Sequence, residues 1–234
     1  MIAGPVVAAA VVFPPGTEID GIDDSKALDE ETRRLLDGMI RGKAFGIGIG
    51  VVEVEEIDRI NIYHAGLQAM KLAVAALPVS PQHILVDSRT IPDLPQPQNS
   101  FDKGDGINFS IAAASIVAKV YRDRLMTDLD GAFPGYGFAD HKGYATPFHQ
   151  DAIRRLGPCP IHRSSFDYIR ELCGQYSKLF YALKDEGSRL EDRKSLAAWE
   201  KRVKESSASL SPMETKKLLL MARRLWGRDL PLNR

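Results

Sequence analysis

The chain has 234 residues, 44% of them hydrophobic and 26% charged, and its formal net charge at pH 7 is zero. A chain of this length buries roughly 70–75% of its unfolded surface, so it needs no disulfide or structural metal to fold. Its charge balance excludes nucleic-acid binding through overall positive charge, so any such binding requires a local patch. The cysteines lack a Cys/His partner pattern, no apolar run has the ~18–20 residues of a membrane span, and the first residues lack the basic start of a signal peptide. We therefore expect a soluble, cytoplasmic protein with no membrane partner.

Hydrophobic patterns in the first half of the chain predict strands and helices in turn. Residues 3–13 and 44–54 are rich in small and β-branched residues and predict two strands. A helix with acidic residues 29–31 in its first turn is expected between them, and residues 57–77 predict a long amphipathic helix. Residues 83–88 are a short apolar run that ends in a carboxylate, as a central strand of an open α/β sheet does at its functional edge.

The second half predicts more helix. A short strand at 98–102 precedes an alanine-rich helix at 108–129, and residues 133–160 are loop-like except for a short helix at 147–156. Residues 167–181 are again helical in pattern. The order of the elements predicts an α/β fold in which helices flank a mixed sheet.

The C-terminal part of the chain differs in composition. From residue 184 onward it has more basic than acidic residues, with a serine-rich linker at 206–209 and an amphipathic stretch at 212–226. We therefore divide the chain into a domain over 1–183 and a basic helical C-terminal extension over 184–234.

One face of the alanine-rich helix carries three polar side chains. Ser115, Lys119 and Asp123 are four residues apart and so follow one another along the helix. The face with alanines at 112, 113, 114 and 118 is expected opposite them, packed closely on a sheet. A surface ion pair between Lys119 and Asp123, worth a few tenths of a kcal/mol, is the simplest interpretation of this helix alone.

Asp87 adds a second carboxylate at the end of a predicted strand. Together, Asp87 and Asp123 supply the oxygen ligands that Mg²⁺ and Mn²⁺ prefer, and two such metals can activate water in phosphodiester cleavage. Two carboxylates seldom suffice for two metals, however. Asp87 equally fits a strand-end residue that caps the following loop.

Two loops carry residues suited to nucleic acid. Residues 133–149 combine aromatics, Lys142 and two histidines. We expect Tyr136 and Phe138 in the core and Tyr144 at the surface, where its ring can stack on a base or sugar. Lys103 and the backbone amides after it precede the alanine-rich helix and could hold a phosphate.

These segments together resemble ribonuclease HII from residue 3 to about residue 166. The matching stretches follow in unbroken order: Ala3-Gly-Pro-Val-Val-Ala-Ala-Ala-Val11, Asp24-Ser-Lys-Ala-Leu28, Val86-Asp87, Lys103-Gly-Asp105, Ser110-Ile-Ala-Ala-Ala-Ser-Ile-Val-Ala-Lys-Val-Tyr-Arg-Asp123, His141-Lys-Gly-Tyr-Ala-Thr146 with His149, and Gly157-Pro-Cys-Pro-Ile-His-Arg-Ser-Ser-Phe166. The resemblance implies a ribonuclease H-like fold, dependence on Mn²⁺ or Mg²⁺, and endonucleolytic hydrolysis of the RNA strand of RNA·DNA hybrids. It also implies a role in removing ribonucleotides embedded in DNA.

The same resemblance assigns roles to individual residues. Asp87 and Asp123 correspond to the third and fourth members of the family's Asp-Glu-Asp-Asp metal site, and Tyr144 to the tyrosine that stacks at the junction between ribonucleotide and deoxyribonucleotide. Four lysines fall on or near positions that face substrate phosphate: Lys26, Lys103, Lys119 and Lys142.

One family motif is missing from the sequence. The opening Asp-Glu-Ala-Gly-Arg-Gly, which in the family lies on a strand in the middle of the sheet, has no counterpart before Ala3. Two metal ligands and the segment that reads the 2′-hydroxyl are therefore absent. Each buried backbone group left unpaired on a neighbouring strand would cost about 1–3 kcal/mol. We expect this 234-residue chain to be inactive.

Two hypotheses of different class follow. The first is an active monomeric nuclease, acting on RNA·DNA hybrids or on duplex DNA that contains ribonucleotides, whose true start lies upstream or of which this chain is a fragment. The second is a short form that binds nucleic acid without catalysis. A plain structural or interaction domain would leave the matching motifs unexplained.

Overall fold

The computed structural model describes residues 1–190 and 192–226, with side chains up to residue 222 in the last helix. Contacts divide the chain into two compact units, Met1–Cys173 and Gly174–Arg234. Composition alone placed a boundary between residues 183 and 184, a position that falls inside a helix of the second unit. Residues 227–234 of the expected extension lie outside the described part of the chain.

The strands of the first unit form two pairs. Strand β1 (Val6–Val12) is antiparallel to β2 (Gly46–Val52), in a register from Val6 opposite Val52 to Val12 opposite Gly46. Strand β3 (Ile84–Asp87) is parallel to β4 (Gln98–Phe101), with Asp87 opposite Phe101. The α/β class is confirmed, and the described strands form these two separate pairs instead of one continuous sheet.

Three helices of the first unit, α1, α3 and α5, begin at residues whose side chains cap them. The Asp29 carboxylate accepts the Thr32 amide at the start of α1, and Asn108 accepts two amides at the start of α3. The helices are α1 (Glu30–Lys43), α2 (Val54–Ala75), α3 (Phe109–Ala132), α4 (Phe138–His141), α5 (Pro147–Leu156) and α6 (Asp167–Leu172).

Strand β2 is rich in glycine because it packs directly on α2. A Cβ at Gly48 would overlap the Ala73 carbonyl oxygen, and one at Gly50 would overlap the Ala69 carbonyl oxygen. The glycines therefore let the strand backbone touch the helix backbone.

The second unit is helical, with a core of its own. It contains α7 (Lys178–Ser188), α8 (Arg193–Glu205) and α9 (Pro212–Trp226). The predicted single helix over 167–181 is wrong, because the chain breaks between α6 and α7 with Gly174 at φ +66°. The predicted linker at 206–209 connects α8 to α9, and Ser206–Ala208 within it forms a 3₁₀ turn.

The core of the second unit is built around Trp199. This side chain is buried, and its indole N–H donates to the Leu183 carbonyl at 2.9 Å. Phe180, Val203 and Leu218 pack in the same cluster. None of the described helices in either unit is long and apolar enough to cross a membrane.

Candidate active site

A groove of about 480 Å³ separates β1 from β3. Its walls are the two strands, and helices α2 and α3 also line it, through residues that include Val74, Ser115 and Ala118. Neither strand edge that faces the groove pairs with another strand among the described residues. The prediction that four alanines form a packed face of α3 opposite Ser115 is only partly right. The alanines at 112 and 113 are buried, but Ala114 and Ala118 line the groove together with Ser115.

Asp87 lies at the end of β3 and lines this groove. One of its carboxylate oxygens accepts the Gly104 amide at 2.8 Å, so Asp87 binds the loop that follows β4, whereas the capping interpretation concerned the loop directly after Asp87. That amide is consequently engaged and cannot also bind a phosphate, which weakens the interpretation of residues 103–106 as a phosphate loop.

Lys26 and Asp105 lie next to this loop. The Lys26 ammonium donates to an Asp105 oxygen at 3.2 Å, and a second carboxylate, Asp24, is 3.7 Å away. The hydrogen bond that Lys26 donates to Asp105 is the main cause of a raised Lys26 pKa, and the charges of Asp24 and Asp87 add to it. Asp105 itself is buried, with 7% exposure. Sequence reasoning did not single it out, although an acid between two glycines before a helix is a usable signal.

Asp123 forms an ion pair with Lys119, which lies one helical turn earlier. The Lys119 ammonium lies 2.6 and 2.7 Å from the two carboxylate oxygens. The side chains are only 21% and 10% exposed, so the pair is more than a solvated surface contact. One turn before Lys119, the hydroxyl of Ser115 is hydrogen-bonded to that of Ser25 at 2.9 Å. The predicted polar row along α3 is therefore correct.

Tyr144 is the exposed aromatic residue of the following loop. Its side chain is 46% exposed, whereas Tyr136 and Phe138 are buried, as expected. The Lys119 ammonium lies 5.9 Å from the centre of the Tyr144 ring. The sequence-predicted Lys119, Asp123 and Tyr144 thus form one cluster.

The other two lysines differ in their surroundings. The Lys142 ammonium is hydrogen-bonded to residues of the first unit. It donates to the Thr127 hydroxyl at 2.9 Å and to the Ala139 carbonyl. Lys103 is exposed, and its backbone is left-handed at φ 57°. Lys142 is therefore half-buried and hydrogen-bonded, whereas Lys103 is exposed.

Asp87 and Asp123 have different immediate partners. Helix α3 packs against β3, yet no hydrogen bond or ion pair joins the two carboxylates in the described part of the chain. Within residues 1–190 and 192–226, no three His, Cys, Asp or Glu side chains gather closely enough to hold a metal ion. The carboxylates therefore have the right chemistry for Mg²⁺ or Mn²⁺ but too few neighbours of the same kind.

Two buried arginines were missed by sequence reasoning. Arg122 donates to the carbonyls of Ala3, Pro5 and Lys142 at 3.0, 3.2 and 2.9 Å, and Arg163 donates to that of Gly4 at 2.9 Å. Burial is the main cause that lowers the Arg163 pKa to about 10. No local pattern reveals them, because their acceptors are main-chain oxygens up to 162 residues away in sequence. Arg122 therefore connects the first residues of the chain to the loop before Tyr144, and Arg163 binds the same first residues.

Comparison with known proteins identifies the family. A family model described as ribonuclease HII matches residues 1–169. The chain belongs to the ribonuclease HII family. A ribonuclease HII from Myxococcus xanthus is 55% identical over 174 residues, which is 74% of this chain but 59% of that protein. One from Geobacter metallireducens is 52% identical over 73% of this chain and 80% of its own length. The chain thus spans only part of its curated relatives, and the match ends before the second unit.

Solved structures agree with the fold. The ribonuclease H2 from Pyrococcus horikoshii has a TM-score of 0.61 at 24% identity, covering 74% of this chain and 92% of that protein. The structure of Bst ribonuclease HIII in complex with Mn²⁺ has a TM-score of 0.54 at 18% identity, covering 74% of this chain and 66% of that protein. At these identities the likeness shows the fold alone.

Proposed function

We propose that this chain carries the catalytic domain of an endoribonuclease that cuts the RNA strand of RNA·DNA hybrids and ribonucleotides embedded in duplex DNA. The observation that carries the proposal is the ribonuclease HII match over residues 1–169. It gains support from the clustering of Lys119, Asp123 and the exposed Tyr144 at one place on the surface. The same proposal includes a cytoplasmic, monomeric protein that acts in DNA replication and repair.

Asp87 and Asp123 are the residues we assign to divalent metal. Carboxylate oxygens suit Mn²⁺ or Mg²⁺, and two such ions would supply activation of water and stabilisation of the leaving oxygen. Within this chain, the Gly104 amide orients one Asp87 oxygen, and Lys119 balances the charge of Asp123. Both carboxylates are thereby fixed in place before any ligand binds.

The groove between β1 and β3 suits the segment that the sequence lacks. Each wall offers an unpaired strand edge, so an extended segment lying between them would satisfy the backbone groups of both. We propose that the family motif Asp-Glu-Ala-Gly-Arg-Gly lies here and brings the further carboxylates toward Asp87.

The surface around Tyr144 is our candidate for substrate contact. An exposed aromatic ring stacks on a base or sugar without reading sequence, and ammonium groups contact phosphate. We assign stacking to Tyr144 and phosphate contacts to Lys26, Lys103 and Lys119. Lys142 is assigned a phosphate contact only if it leaves Thr127, to which it is hydrogen-bonded.

The test is cleavage by a chain extended upstream of Ala3 with Asp-Glu-Ala-Gly-Arg-Gly. A duplex DNA with one ribonucleotide should be cut in Mn²⁺ by the extended chain but not by the 234-residue chain. Asp87→Asn should abolish most of the cutting. The matched control Asp93→Asn removes the charge of an aspartate whose side chain is 85% exposed, outside the candidate site, and should leave activity unchanged. Equal activity of the extended chain and its Asp87→Asn variant would refute the metal assignment.

A second candidate function is nucleic-acid binding without catalysis. It is favoured by the small number of acidic ligands gathered in the described residues. An extended chain that binds hybrids tightly and cleaves none would establish this alternative.

A further inference from the structure

Three buried histidines lie behind the Tyr144 loop, and the proposed function uses none of them. His149 is fully buried and His162 is 3% exposed. Their Nε2 atoms are 2.9 Å apart, and Nδ1 of His149 is 2.8 Å from the Tyr144 carbonyl oxygen. The His141 ring stacks on that of His149 with centroids 4.1 Å apart.

The hydrogen-bond partners of His149 and His162 determine which of their ring nitrogens carry protons. A carbonyl oxygen can only accept, so Nδ1 of His149 must donate to Tyr144. Burial lowers the pKa of His149 and of His162 to about 4, so both rings are neutral near pH 7. Nε2 of His149 therefore accepts, and Nε2 of His162 must donate to it.

The chain of hydrogen bonds ends on a backbone amide. With its proton on Nε2, His162 can only accept at Nδ1, and the Cys159 amide donates there at 2.9 Å. The order is Cys159 amide, His162, His149 and the Tyr144 carbonyl. His141 stands outside it, because its Nδ1 accepts the Gly143 amide and its Nε2 donates to the Tyr136 carbonyl.

Because the ring of Tyr144 is half exposed, its orientation depends on how its backbone is hydrogen-bonded. Its carbonyl oxygen accepts from the Thr146 amide at 2.9 Å as well as from His149. An exposed side chain is directed by the backbone to which it is attached, so a fixed carbonyl restricts where the ring can point. The buried imidazole is the one side chain among the described residues that donates to this oxygen.

We propose that His149 is a positioning residue for Tyr144, held in the required tautomer by His162 and the Cys159 amide. This inference rests on the proposed function, in which Tyr144 stacks on nucleic acid. In this proposal the buried histidines orient the stacking ring of Tyr144 in addition to packing in the core.

The test is a double-mutant cycle on hybrid binding, measured by fluorescence anisotropy with the 234-residue chain and a labelled RNA·DNA duplex. His149→Phe keeps a ring of similar size but removes the donor, whereas His149→Asn keeps a donor near the position of Nδ1. We expect His149→Phe to weaken binding about two- to tenfold, and His149→Asn to weaken it less. In the Tyr144→Ala background, His149→Phe should have no further effect. An equal loss in both backgrounds would overturn the inference, because it would mean general destabilisation.

Two further measurements keep the outcome decisive. If thermal melting shows that His149→Phe does not fold, His162→Leu replaces it in the double-mutant cycle. This substitution breaks the same series of hydrogen bonds one residue further from Tyr144. Nitrogen-15 NMR of the free protein should find His149 protonated at Nδ1 and His162 at Nε2, and His149→Asn should shift the ring resonances of a labelled Tyr144 less than His149→Phe does. The exposed His83→Asn variant is the control and should shift nothing.

These readouts separate the two claims. If Tyr144→Ala leaves binding unchanged, the proposed role of Tyr144 in stacking fails while the tautomers and the Tyr144 resonances still decide the positioning role. If Tyr144→Ala weakens binding but His149 has the opposite tautomer, the positioning inference fails alone.

Discussion

The Lys119 ammonium contacts both carboxylate oxygens of Asp123 and lies 5.9 Å from the ring centre of Tyr144. A positive charge therefore lies between the carboxylate that we assign to metal and the ring that we assign to nucleic acid. A lysine in this position can neutralise the acid in the free protein and contact phosphate in a complex.

Removal of this charge should change the salt dependence of binding. Lys119→Gln is expected to weaken binding of an RNA·DNA hybrid and to reduce the slope of log affinity against log salt concentration by about 1. Lys71→Gln removes one charge from the ion pair with Asp93 and is the matched control. Identical slopes for the two variants would place Lys119 outside the phosphate contacts.

Replacement of the exposed tyrosine should affect binding more than folding. Tyr144→Ala should cost about 1–3 kcal/mol of hybrid binding and change the melting temperature little, because the ring is 46% exposed. Tyr136→Ala is the contrasting variant, since Tyr136 is 7% exposed and stacks on Phe138 with centroids 5.4 Å apart. It should lower the melting temperature. Parallel losses of stability in both variants would assign Tyr144 to the core.

The sequence allowed the site to be predicted where the signal was local. Ser115, Lys119 and Asp123 follow from helical spacing alone, and the exposure of Tyr144 follows from its small neighbours. Partners distant in sequence could not be predicted, because Arg122 and Arg163 bind main-chain oxygens that no pattern marks.

In the fold, too, local features could be predicted and contacts between distant segments could not. Local sequence patterns located the four strands and the long helices of the first unit, but they did not reveal the kink in α2 at Asn61, where φ is +70°. They also could not reveal that the strands form two pairs with a groove between them, since pairing depends on contacts between distant segments. The break at Gly174 was missed because residues on both sides of it are helical in pattern.

Acid should destabilise the protein through the buried histidines. Histidine in the unfolded chain titrates near pH 6.5, whereas His149 and His162 have pKa values lowered to about 4, chiefly by burial. Between pH 6.5 and 4 the unfolded state binds more protons, so the free energy of unfolding should decrease as the pH falls through this window. The slope is at most about 1.4 kcal/mol per pH unit for each histidine.

Urea unfolding at several pH values measures this slope. The groups facing the two imidazoles are His141, Cys159 and the amino group of Met1, and the His141 charge also lowers both pKa values. The double variant His149→Asn with His162→Asn should have a shallower dependence over the same range. An unchanged slope would mean that other groups cause the acid sensitivity.

The glycines of β2 provide a test of packing. Gly48→Ala should lower the free energy of unfolding by about 1–3 kcal/mol, because its Cβ would overlap the Ala73 carbonyl oxygen. Gly42→Ala is the matched control, since nothing lies within 4 Å of its added Cβ and the residue is in α1. It should raise stability by about 0.5–1 kcal/mol. Similar effects of the two substitutions would contradict close contact between β2 and α2.

The most direct test of the central claim is Mn²⁺ binding to the chain extended with Asp-Glu-Ala-Gly-Arg-Gly, measured by electron paramagnetic resonance. Asp87→Asn and Asp123→Asn should each weaken binding, and the two losses should not simply add in the double variant, because both carboxylates serve the same metal centre. Independent, additive losses, or no loss in either single variant, would contradict a shared metal site at these two residues.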